Sequence, residues 1–303
     1  MEDGFRGMKV LRTPDTRFAN LPDFPYPAHY VEIGETRVHY LDEGQGEPIL
    51  CLHGEPSWCF LYRKLVPILS QSHRVVAPDL IGFGKSDKLA EQAAYTYSLH
   101  HDSLVAFVKA LKLNRITLVC HDWGGLLGLP LAAEMSDRFA RLVIMNTGLP
   151  AGEKLSPAFL EWRAFAANVK DMDIGRVIQR GCISTLSSAV ISAYNAPFPD
   201  VTYKAGAHQF PLLVPITPDA PAAAPIRKAR ELLKGWTKPA LVMFSSKDPI
   251  TAGGDAFFRK LIPTAGNEPE IVIQNAGHFL QEDKGKELAE HIRRFLERRP
   301  IAQ

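Results

Sequence analysis

The stretch of residues 116–133 constrains the fold of this chain more than any other stretch does. An apolar, β-branched run at residues 116–119 precedes Cys-His-Asp-Trp-Gly-Gly, and a run of small and apolar residues follows it. This pattern predicts a strand, a sharp turn and then a helix. Gly124 and Gly125 would let the turn pass close to neighbouring backbone without a Cβ clash. The predicted turn carries Asp122 at its tip.

Asp122 is a candidate nucleophile because of its position in this turn. A carboxylate is ionised at neutral pH, so it needs no base before it attacks. It can attack a saturated carbon and leave an ester on the enzyme. The alternative interpretation is an aspartate that caps the helix beginning at Trp123. We favour the nucleophile, because the partners that it needs occur later in the chain in a suitable order.

The composition is that of an ordinary globular protein. The 303 residues are 46% hydrophobic and 22% charged, and the net charge of +2 comes without a basic stripe that would indicate nucleic-acid binding. The four cysteines have neither CxxC nor zinc spacing. Cys51 and Cys120 lie in apolar strand runs, which predicts that these two are buried free thiols and agrees with a reducing compartment. The polar first residues predict no secretory signal, and no apolar run approaches the ~20 residues of a membrane span. We therefore expect a cytoplasmic protein without membrane contact.

The order of the predicted elements indicates a mostly parallel sheet flanked by helices. A hairpin is predicted at residues 30–41, and strands then alternate with helices up to residue 145. The strands predicted in this part are 48–52, 74–77, 116–119 and 141–145, and the helices are 61–69, 100–111 and the one after the sharp turn.

Residues 150–229 interrupt the alternation. They show no clear strand, and they combine short helical segments with a proline-rich tract at residues 210–225. The helical segments predicted in this part are 157–170, 174–179 and 187–194. The alternation then resumes with strands 238–245 and 270–274 and helices 251–261 and 285–296. We therefore predict a first core part, an inserted helical cap and a second core part, at residues 1–149, 150–229 and 230–303.

Two loops beyond the insertion carry the partners that Asp122 needs. Asp248 follows the predicted strand at residues 238–245, and His278 follows the one at residues 270–274. Open α/β sheets place their sites at such carboxyl ends of strands. In the order nucleophile, acid, histidine, the histidine can activate water while the acid orients it. Asp248 or His278 alone could be an ordinary loop residue. Chance is a poor explanation for finding both, in this order, at the ends of strands after Asp122.

The loop His53-Gly54-Glu55-Pro56 also follows a predicted strand. The backbone N–H of Glu55 could join that of Trp123 in holding an oxyanion beside Asp122. The alternative interpretation of this loop is a plain Gly-Pro turn.

Together these residues resemble the haloalkane dehalogenase family of the α/β-hydrolase superfamily, over nearly the whole chain. The motifs that carry the resemblance are His53-Gly54-Glu55-Pro56-Ser57-Trp58, Asp79-Leu80-Ile81-Gly82-Phe83-Gly84-Lys85-Ser86, His121-Asp122-Trp123-Gly124-Gly125, Lys247-Asp248-Pro249 and Gly277-His278-Phe279. With Glu55 after His53-Gly54, the chain resembles one branch of this family. In that branch the catalytic acid follows the seventh strand, and the second halide ligand is a tryptophan of the cap. The other branch carries its acid after the sixth strand, where this chain has Asn146-Thr147-Gly148. The resemblance implies an eight-stranded, mostly parallel sheet with a helical cap.

The resemblance implies a two-step hydrolysis of haloalkanes to alcohol, halide and a proton, without a metal or an organic cofactor. Asp122 would displace the halide and form an alkyl ester, and a water activated by His278 would then attack that ester. Asp248 would orient the histidine, and the amides of Glu55 and Trp123 would hold the oxyanion. The expected partners are a haloalkane, water and a halide ion, not nucleic acid, and the expected state is a monomer.

A leaving halide needs hydrogen-bond donors that are not acceptors, and an indole N–H is such a donor. Trp123 adjoins the nucleophile and Trp162 is the only tryptophan of the predicted cap, so we predict both as halide ligands. The alternative for Trp162 is an ordinary packing aromatic. The resemblance and the loop positions indicate a substrate pocket lined by Phe165, Phe210, Pro211, Leu213, Val214 and Ile250.

Three other functions compete with this interpretation. An epoxide hydrolase uses the same triad with cap tyrosines that protonate the epoxide, for which Tyr194 and Tyr203 are available. A fluoroacetate dehalogenase is less favoured, because a chain that resembles that family would have an arginine directly after the nucleophilic aspartate, where this chain has Trp123. A non-catalytic binding protein of this fold would usually lack a triad member, whereas this chain has all three. Halide release measured against diol formation distinguishes these functions.

Overall fold

The computed structural model describes residues 9–301, and an eight-stranded sheet lies at its centre. In chain order the strands are β1 Val10–Leu11, β2 His29–Ile33, β3 Thr36–Glu43, β4 Pro48–Leu52, β5 Arg74–Pro78, β6 Lys88–Leu89, β7 Ile116–His121, β8 Phe139–Met145, β9 Ala240–Ser245 and β10 Ile271–Ile273. Strand β1 pairs with β6 in a small antiparallel ribbon, and the other eight form the central sheet.

The central sheet runs in the order β10-β9-β8-β7-β4-β5-β3-β2. The strands from β10 to β5 pair in parallel, and the β2–β3 hairpin adds an antiparallel edge. Every residue of β7 is buried, as expected for a parallel strand that is covered on both faces. The predicted mostly parallel, eight-stranded sheet is confirmed.

Ten helices accompany these strands in residues 9–301. In chain order they are α1 Val66–Leu69, α2 Tyr97–Ala110, α3 Trp123–Glu134, α4 Pro157–Asn168, α5 Ile174–Arg180, α6 Ser188–Asn195, α7 Ala205–Leu213, α8 Ala223–Lys234, α9 Gly254–Leu261 and α10 Leu280–Arg298. Within this described part of the chain, each helix is too short or too polar to cross a bilayer.

One helix prediction was wrong in detail, and one helix was not predicted. Residues 61–69 do not form one helix, because a 3₁₀ turn at Cys59–Tyr62 precedes the separate, four-residue α1. Pro67 lies in the first turn of α1, where the absence of an N–H is tolerated. The proline-rich tract at residues 210–225 contains the end of α7 and the start of α8. Helix α8 forms because its buried apolar positions recur at helical spacing, and it packs against α3.

The segment between β8 and β9 contains α4 to α8 and no strand, as its sequence pattern indicates. Local capping explains where its helices begin. The side chains of Ser156, Asp173 and Ser187 each accept a hydrogen bond from the backbone N–H three residues later, and so start α4, α5 and α6. Residue 229, the predicted end of the insertion, falls inside α8.

Candidate active site

Three side chains that the sequence analysis grouped together lie together at the carboxyl ends of the strands. Asp122 follows β7, Asp248 lies beyond β9 and His278 lies beyond β10. His278 Nδ1 is 2.9 Å from Asp248 Oδ2, and His278 Nε2 is 3.5 Å from Asp122 Oδ2. The imidazole therefore bridges two carboxylates that are far apart in sequence.

The turn at Asp122 is sharp, and its backbone is strained. Asp122 has φ 50° and ψ −123°, a conformation that is unfavourable for a residue with a side chain. Glycines make room for it, since a Cβ at Gly54 would lie 2.3 Å from Asp122 Oδ1 and one at Gly124 would lie 2.0 Å from the Leu52 carbonyl oxygen. The Asp122 side chain makes no capping hydrogen bond to α3, so the structure does not support the N-cap interpretation.

The loop after β4 holds the Asp122 carboxylate from one side. The backbone N–H of Glu55 donates to Asp122 Oδ1 at 2.8 Å. His53 shapes this loop, because its Nε2 accepts from the Leu80 N–H at 3.0 Å, which leaves the proton on Nδ1 to donate to the Gly54 carbonyl at 2.9 Å. Burial lowers the pKa of His53, which keeps this ring neutral. The loop is thus a fixed hydrogen-bonded turn and not a plain Gly-Pro turn.

Burial penalises charge in the triad, but attraction between its members outweighs that penalty. Against the effect of burial, the carboxylates of Asp248 and Asp122 raise the pKa of His278 to about 10. Despite burial, His278 lowers the pKa of Asp248 to about 2. The pKa of Asp122 is also lowered, because His278, His121 and the Trp123 N–H favour its carboxylate over the effect of burial. At neutral pH a protonated histidine therefore lies between two carboxylates.

The Glu55 side chain is buried beside this charged group, with only 4% of its surface exposed. Its Oε1 has no hydrogen-bond partner among residues 9–301. Burial and then the negative charge of Asp122 raise the pKa of Glu55 well above its ordinary value. Both causes favour the neutral form of the Glu55 side chain, which limits the negative charge that opposes the one on Asp122.

Two residues that the sequence analysis left without a role hold the triad in place. Asn146 Nδ2 donates to the carbonyls of Gly277 and His278, both at 3.0 Å. Thr251 Oγ1 donates to Asp248 Oδ2 at 2.5 Å. The sequence signal that could have found them is a small polar residue directly after a strand or shortly after an acid on a loop.

A cavity of about 880 Å³ opens onto Asp122 and His278. Its walls come from the carboxyl ends of the strands, from α4, α5 and α7, and from residues of α3, α8 and α9. Trp123 and Trp162 both line it, and the Trp162 ring stacks on Phe165 with 5.7 Å between the ring centroids. The two tryptophans predicted as halide ligands therefore share one cavity with the predicted nucleophile.

The other two tryptophans are not part of the cavity wall. Trp58 is completely buried, and its indole N–H donates to the Ala193 carbonyl at 3.3 Å. Trp236 is 5% exposed and belongs to the hydrophobic core. Neither indole is therefore placed to bind a halide beside Asp122.

Six residues were predicted to line the pocket, and four of them do so, namely Phe165, Pro211, Val214 and Ile250. Phe210 and Leu213 are corrections. Phe210 is completely buried and packs edge-on against the rings of Phe83 and Trp123. Leu213 packs against the hydrophobic core. Successive residues of α7 point in different directions, so neighbours in sequence do not share the cavity face.

Comparisons with known proteins agree with this geometry. The sequence model of the alpha/beta hydrolase fold family matches residues 47–285. A haloalkane dehalogenase of Psychrobacter cryohalolentis is 52% identical to this chain, and the match covers 97% of this chain and 100% of that protein. A haloalkane dehalogenase of Mycolicibacterium paratuberculosis is 48% identical, with 94% of this chain and 97% of that protein covered. The chain belongs to the haloalkane dehalogenase family.

A solved structure extends this relationship to three dimensions. The tetrameric structure of haloalkane dehalogenase DpaA from Paraglaciecola agarilytica superposes with a TM-score of 0.89 at 38% identity, covering 94% of this chain and 97% of that one. Haloalkane dehalogenases are hydrolases of the α/β-hydrolase superfamily that act on halogenated alkanes with water. The cavity beside Asp122 must therefore accommodate a halogenated alkane and a water molecule.

The epoxide hydrolase alternative is not favoured, and the position of the cap tyrosines agrees. Neither Tyr194 nor Tyr203 lines the cavity, and in the described part of the chain no other tyrosine lines it either. The Tyr194 side chain is completely buried, and its hydroxyl donates to Glu282 Oε1 at 2.5 Å. A tyrosine held in this way cannot protonate an epoxide oxygen at Asp122.

One buried group has the composition of a metal site, but its hydrogen bonds give it another role. His39, Cys59 and Asp79 offer ligand atoms within 4.8 Å of one another. The Asp79 carboxylate already accepts from His39 Nδ1 at 2.7 Å and from the backbone N–H groups of Cys59 and Lys85 at 2.8 Å each. These contacts anchor the loop after β5, and they lie outside the residues that line the haloalkane dehalogenase cavity.

Proposed function

We propose that this chain hydrolyses haloalkanes through a covalent ester on Asp122, with His278 and Asp248 as the base and its orienting acid. The observation that carries the proposal is the position of Asp122, 3.5 Å from His278, on the floor of an 880 Å³ cavity lined by two tryptophans. Each group that the two steps require then has a named residue.

In the first step Asp122 attacks the carbon that bears the halogen. Oδ1 accepts the Glu55 N–H at 2.8 Å, so we assign the attack to Oδ2. A carbon–oxygen bond forms as the carbon–halogen bond breaks, and the halide leaves with the bonding electrons. The indole N–H groups of Trp123 and Trp162 receive that developing charge.

In the second step water hydrolyses the ester. His278 takes a proton from a water molecule, whose oxygen attacks the carboxyl carbon of Asp122. The negative charge develops on Oδ1, which already accepts the Glu55 N–H, and the Trp123 N–H supports it. The bond between the carboxyl carbon and the alkyl oxygen then breaks, and the alcohol leaves with the proton that His278 took from water. The carboxyl group that remains on Asp122 releases the other proton of the water, which restores the carboxylate. The sum of both steps is a haloalkane and water giving an alcohol, a halide ion and one proton.

The ester itself prepares His278 to act as a base. In the free enzyme the charges of Asp248 and Asp122 raise the pKa of His278 to about 10, so its ring is protonated at neutral pH. Alkylation removes the charge of Asp122, which is one of the causes of the raised pKa. The pKa of His278 then falls, and the ring can lose its proton to solvent and accept one from water.

We assign residues 150–222 to a cap over the site, followed by α8 as part of the core. Helices α4, α5 and α7 contribute Trp162, Val177 and Pro211 to the cavity wall. Helix α8 packs against α3 and α9 of the core, so we shorten the predicted cap, which ended at residue 229. The cap supplies Trp162, the second halide ligand of the proposal.

Halide release from a panel of chloro-, bromo- and iodoalkanes of graded length tests the function, with an epoxide as the comparison substrate. We expect stoichiometric alcohol and halide from the haloalkanes and no diol from the epoxide. Asp122→Ala should fold and release no halide. Diol formation by the wild type without halide release, or halide release by folded Asp122→Ala, would refute the proposal.

We further propose that the chain acts as a monomer in the cytoplasm. All groups of the proposed mechanism come from one chain, and its four cysteines are free. The tetramer described for the Paraglaciecola protein is a property of that protein. Light scattering over a range of concentrations should give the mass of one chain, and a stable mass of four chains would contradict this part of the proposal.

A further inference from the structure

Two loops from distant parts of the chain meet at the wall of the cavity. One is the cap loop, residues 181–184, whose first three residues line the cavity. The other is the histidine loop, residues 275–279, which carries the catalytic base of the proposal. The Phe279 N–H donates to the Gly181 carbonyl at 3.2 Å, and a Cβ at Gly277 would lie 2.4 Å from that same oxygen. The two loops are thus in direct backbone contact.

The carboxylate of Asp283, in the first turn of α10, binds both loops. On the cap loop, its Oδ1 accepts from the N–H and the Oγ of Ser184 at 2.8 and 2.5 Å, and its Oδ2 accepts from the Ile183 N–H at 2.9 Å. On the histidine loop, Oδ2 accepts from the Gly277 N–H at 2.8 Å. An ionised carboxylate has about four acceptor sites, and such charge-assisted bonds are stronger than neutral ones.

These contacts fix the backbone on both sides of His278. The preceding residue, Gly277, is held by Asp283. The carbonyl of His278 itself accepts from His121 Nε2 at 2.9 Å and from Asn146 Nδ2 at 3.0 Å. The imidazole therefore takes its position from backbone anchors outside the triad, and Asp283 joins those anchors to the cap.

We propose that Asp283 is a positioning residue that couples the placement of the cap loop to the placement of His278, and so serves ester hydrolysis. This inference rests on the proposed function, in which His278 acts in the second step alone. When the cap loop is seated, Ile183 and Ser184 orient the carboxylate, and the carboxylate holds Gly277. When the cap loop departs, Asp283 loses three of its four donor groups and the histidine loop loosens.

The neighbouring Glu282 separates this role from simple attachment of the cap. Glu282 is buried and paired with Arg63 at 2.5 Å, and it also accepts from Tyr194 of the cap. The Tyr194 hydrogen bond joins the cap to the core, and the Glu282 side chain makes no hydrogen bond to the histidine loop. Asp283 is only half-buried, and its bonds are directed to the two loops. Loss of Asp283 should therefore alter the position of His278 more than the stability of the fold.

Rapid-quench kinetics with n-butyl bromide tests the coupling in Asp283→Asn and Asp283→Ala. The asparagine keeps the size of the side chain, but it replaces one acceptor oxygen with an NH₂ donor. That NH₂ group must face an N–H donor on one of the two loops, so hydrogen bonds to that loop are lost. We expect first-turnover bromide release to stay within about 3-fold of wild type, since Asp122 needs no base. Ester hydrolysis should fall by about 10- to 100-fold, because a 1 Å misplacement can cost about 10²-fold. The alkyl-enzyme should then accumulate in intact-protein mass spectra.

Two further variants serve as a gradation and a control. Ser184→Ala removes one cap-side bond and leaves the Gly277 bond, so it should give a smaller accumulation of ester, and it replaces the Asp283 variants if these do not fold. Asp200→Ala removes a cap carboxylate that binds only the backbone and hydroxyl of Thr202 among the described residues, and it should behave as wild type.

The outcomes separate the two hypotheses. Equal losses in bromide release and hydrolysis for the Asp283 variants, or no loss in either, would overturn the coupling. Absence of any ester in wild type and in a His278 variant would instead overturn the proposed function.

Discussion

His278 lies between two carboxylates, and this single residue combines the electrostatics of the site with its chemistry. Asp248 holds its Nδ1 at 2.9 Å, and Asp122 faces its Nε2 at 3.5 Å. Asp122 requires no base in order to attack, whereas water does. The two steps of the proposed reaction should therefore depend on His278 to different degrees, which makes the proposed residue roles separable by experiment.

Replacement of His278 should stop the reaction halfway. We expect His278→Gln to release about one halide per enzyme and then to stall as the alkyl ester, because removing the catalyst of a step lets its substrate accumulate. Intact-protein mass spectrometry would detect the adduct. Loss of this first burst in a folded variant would count against the assignment of His278 to the second step.

The raised pKa of His278 also predicts a pH dependence of stability. Its value of about 10 in the folded protein lies above the ordinary 6.5, so the folded state binds the proton more tightly than the unfolded state does. The resulting stabilisation is fully present below pH 6.5 and is lost as the pH rises through about 10. The difference in unfolding free energy between wild type and His278→Gln should therefore shrink over that range. A difference that does not change with pH would contradict the prediction.

The proposed role of Trp162 as the second halide ligand depends on its single indole N–H. Trp162→Phe keeps an aromatic ring in the cavity wall but removes the donor, and it should lower the rate of halide release by roughly 10²–10³-fold, as for loss of an oxyanion-hole donor. Bromide should quench the tryptophan fluorescence of the wild type by binding between the rings. Trp236→Phe, in the core, is the matched control. Trp162→Phe with unchanged quenching and rate would require a different halide ligand.

At the scale of elements, the start of α10 is where the cap and the core are joined. Glu282 is completely buried there, and the Arg63 guanidinium, 1% exposed, pairs with it through two hydrogen bonds of 2.5 and 2.8 Å. Lys64 and the cap residue Tyr194 complete the group. Burial alone would keep Glu282 protonated, but these partners, with Arg63 first among them, lower its pKa.

Removal of Arg63 should destabilise the fold strongly, because it leaves a buried carboxylate without its main partner. We expect Arg63→Ala to lower the free energy of unfolding by about 3–5 kcal/mol. Arg293→Ala removes a solvent-exposed arginine of α10 from its pairs with Glu290 and Glu297, and should lower the free energy of unfolding far less than Arg63→Ala does. Chemical denaturation of both variants makes the comparison. Similar losses for both would mean that burial does not govern this ion pair.

At the scale of the whole molecule, the parallel sheet is what assembles the site. The β7, β9 and β10 strands end at one edge, and the loops beyond them carry Asp122, Asp248 and His278. Residues of the segment between β8 and β9 line part of the cavity at this edge. The haloalkane, the water and the leaving halide can therefore meet in one cavity.

The sequence by itself determined the sheet, the helical insertion and the order of the triad. These rest on local patterns, namely apolar runs, capping residues and the glycines that a sharp turn requires, and such patterns act within a few residues. The caps at Ser156, Asp173 and Ser187 illustrate this, since each bond spans three residues. Local patterns failed where proline obscured them, at α1 and around residues 210–225.

Only the tertiary structure decided which side chains face the cavity. Phe210 and Pro211 are neighbours in sequence, yet one packs behind Trp123 and the other lines the cavity, because α7 rests on the core with one face. The same holds for Asn146, which binds the carbonyls of residues more than 130 positions away, and for Asp283, whose partners lie on two separate loops. Packing likewise raises the pKa of Glu55 through burial and the charge of Asp122, and it raises the pKa of His278, against burial, through the carboxylates of Asp248 and Asp122. Contacts of this kind have no local signature, since they depend on where the sheet and the cap bring distant segments together.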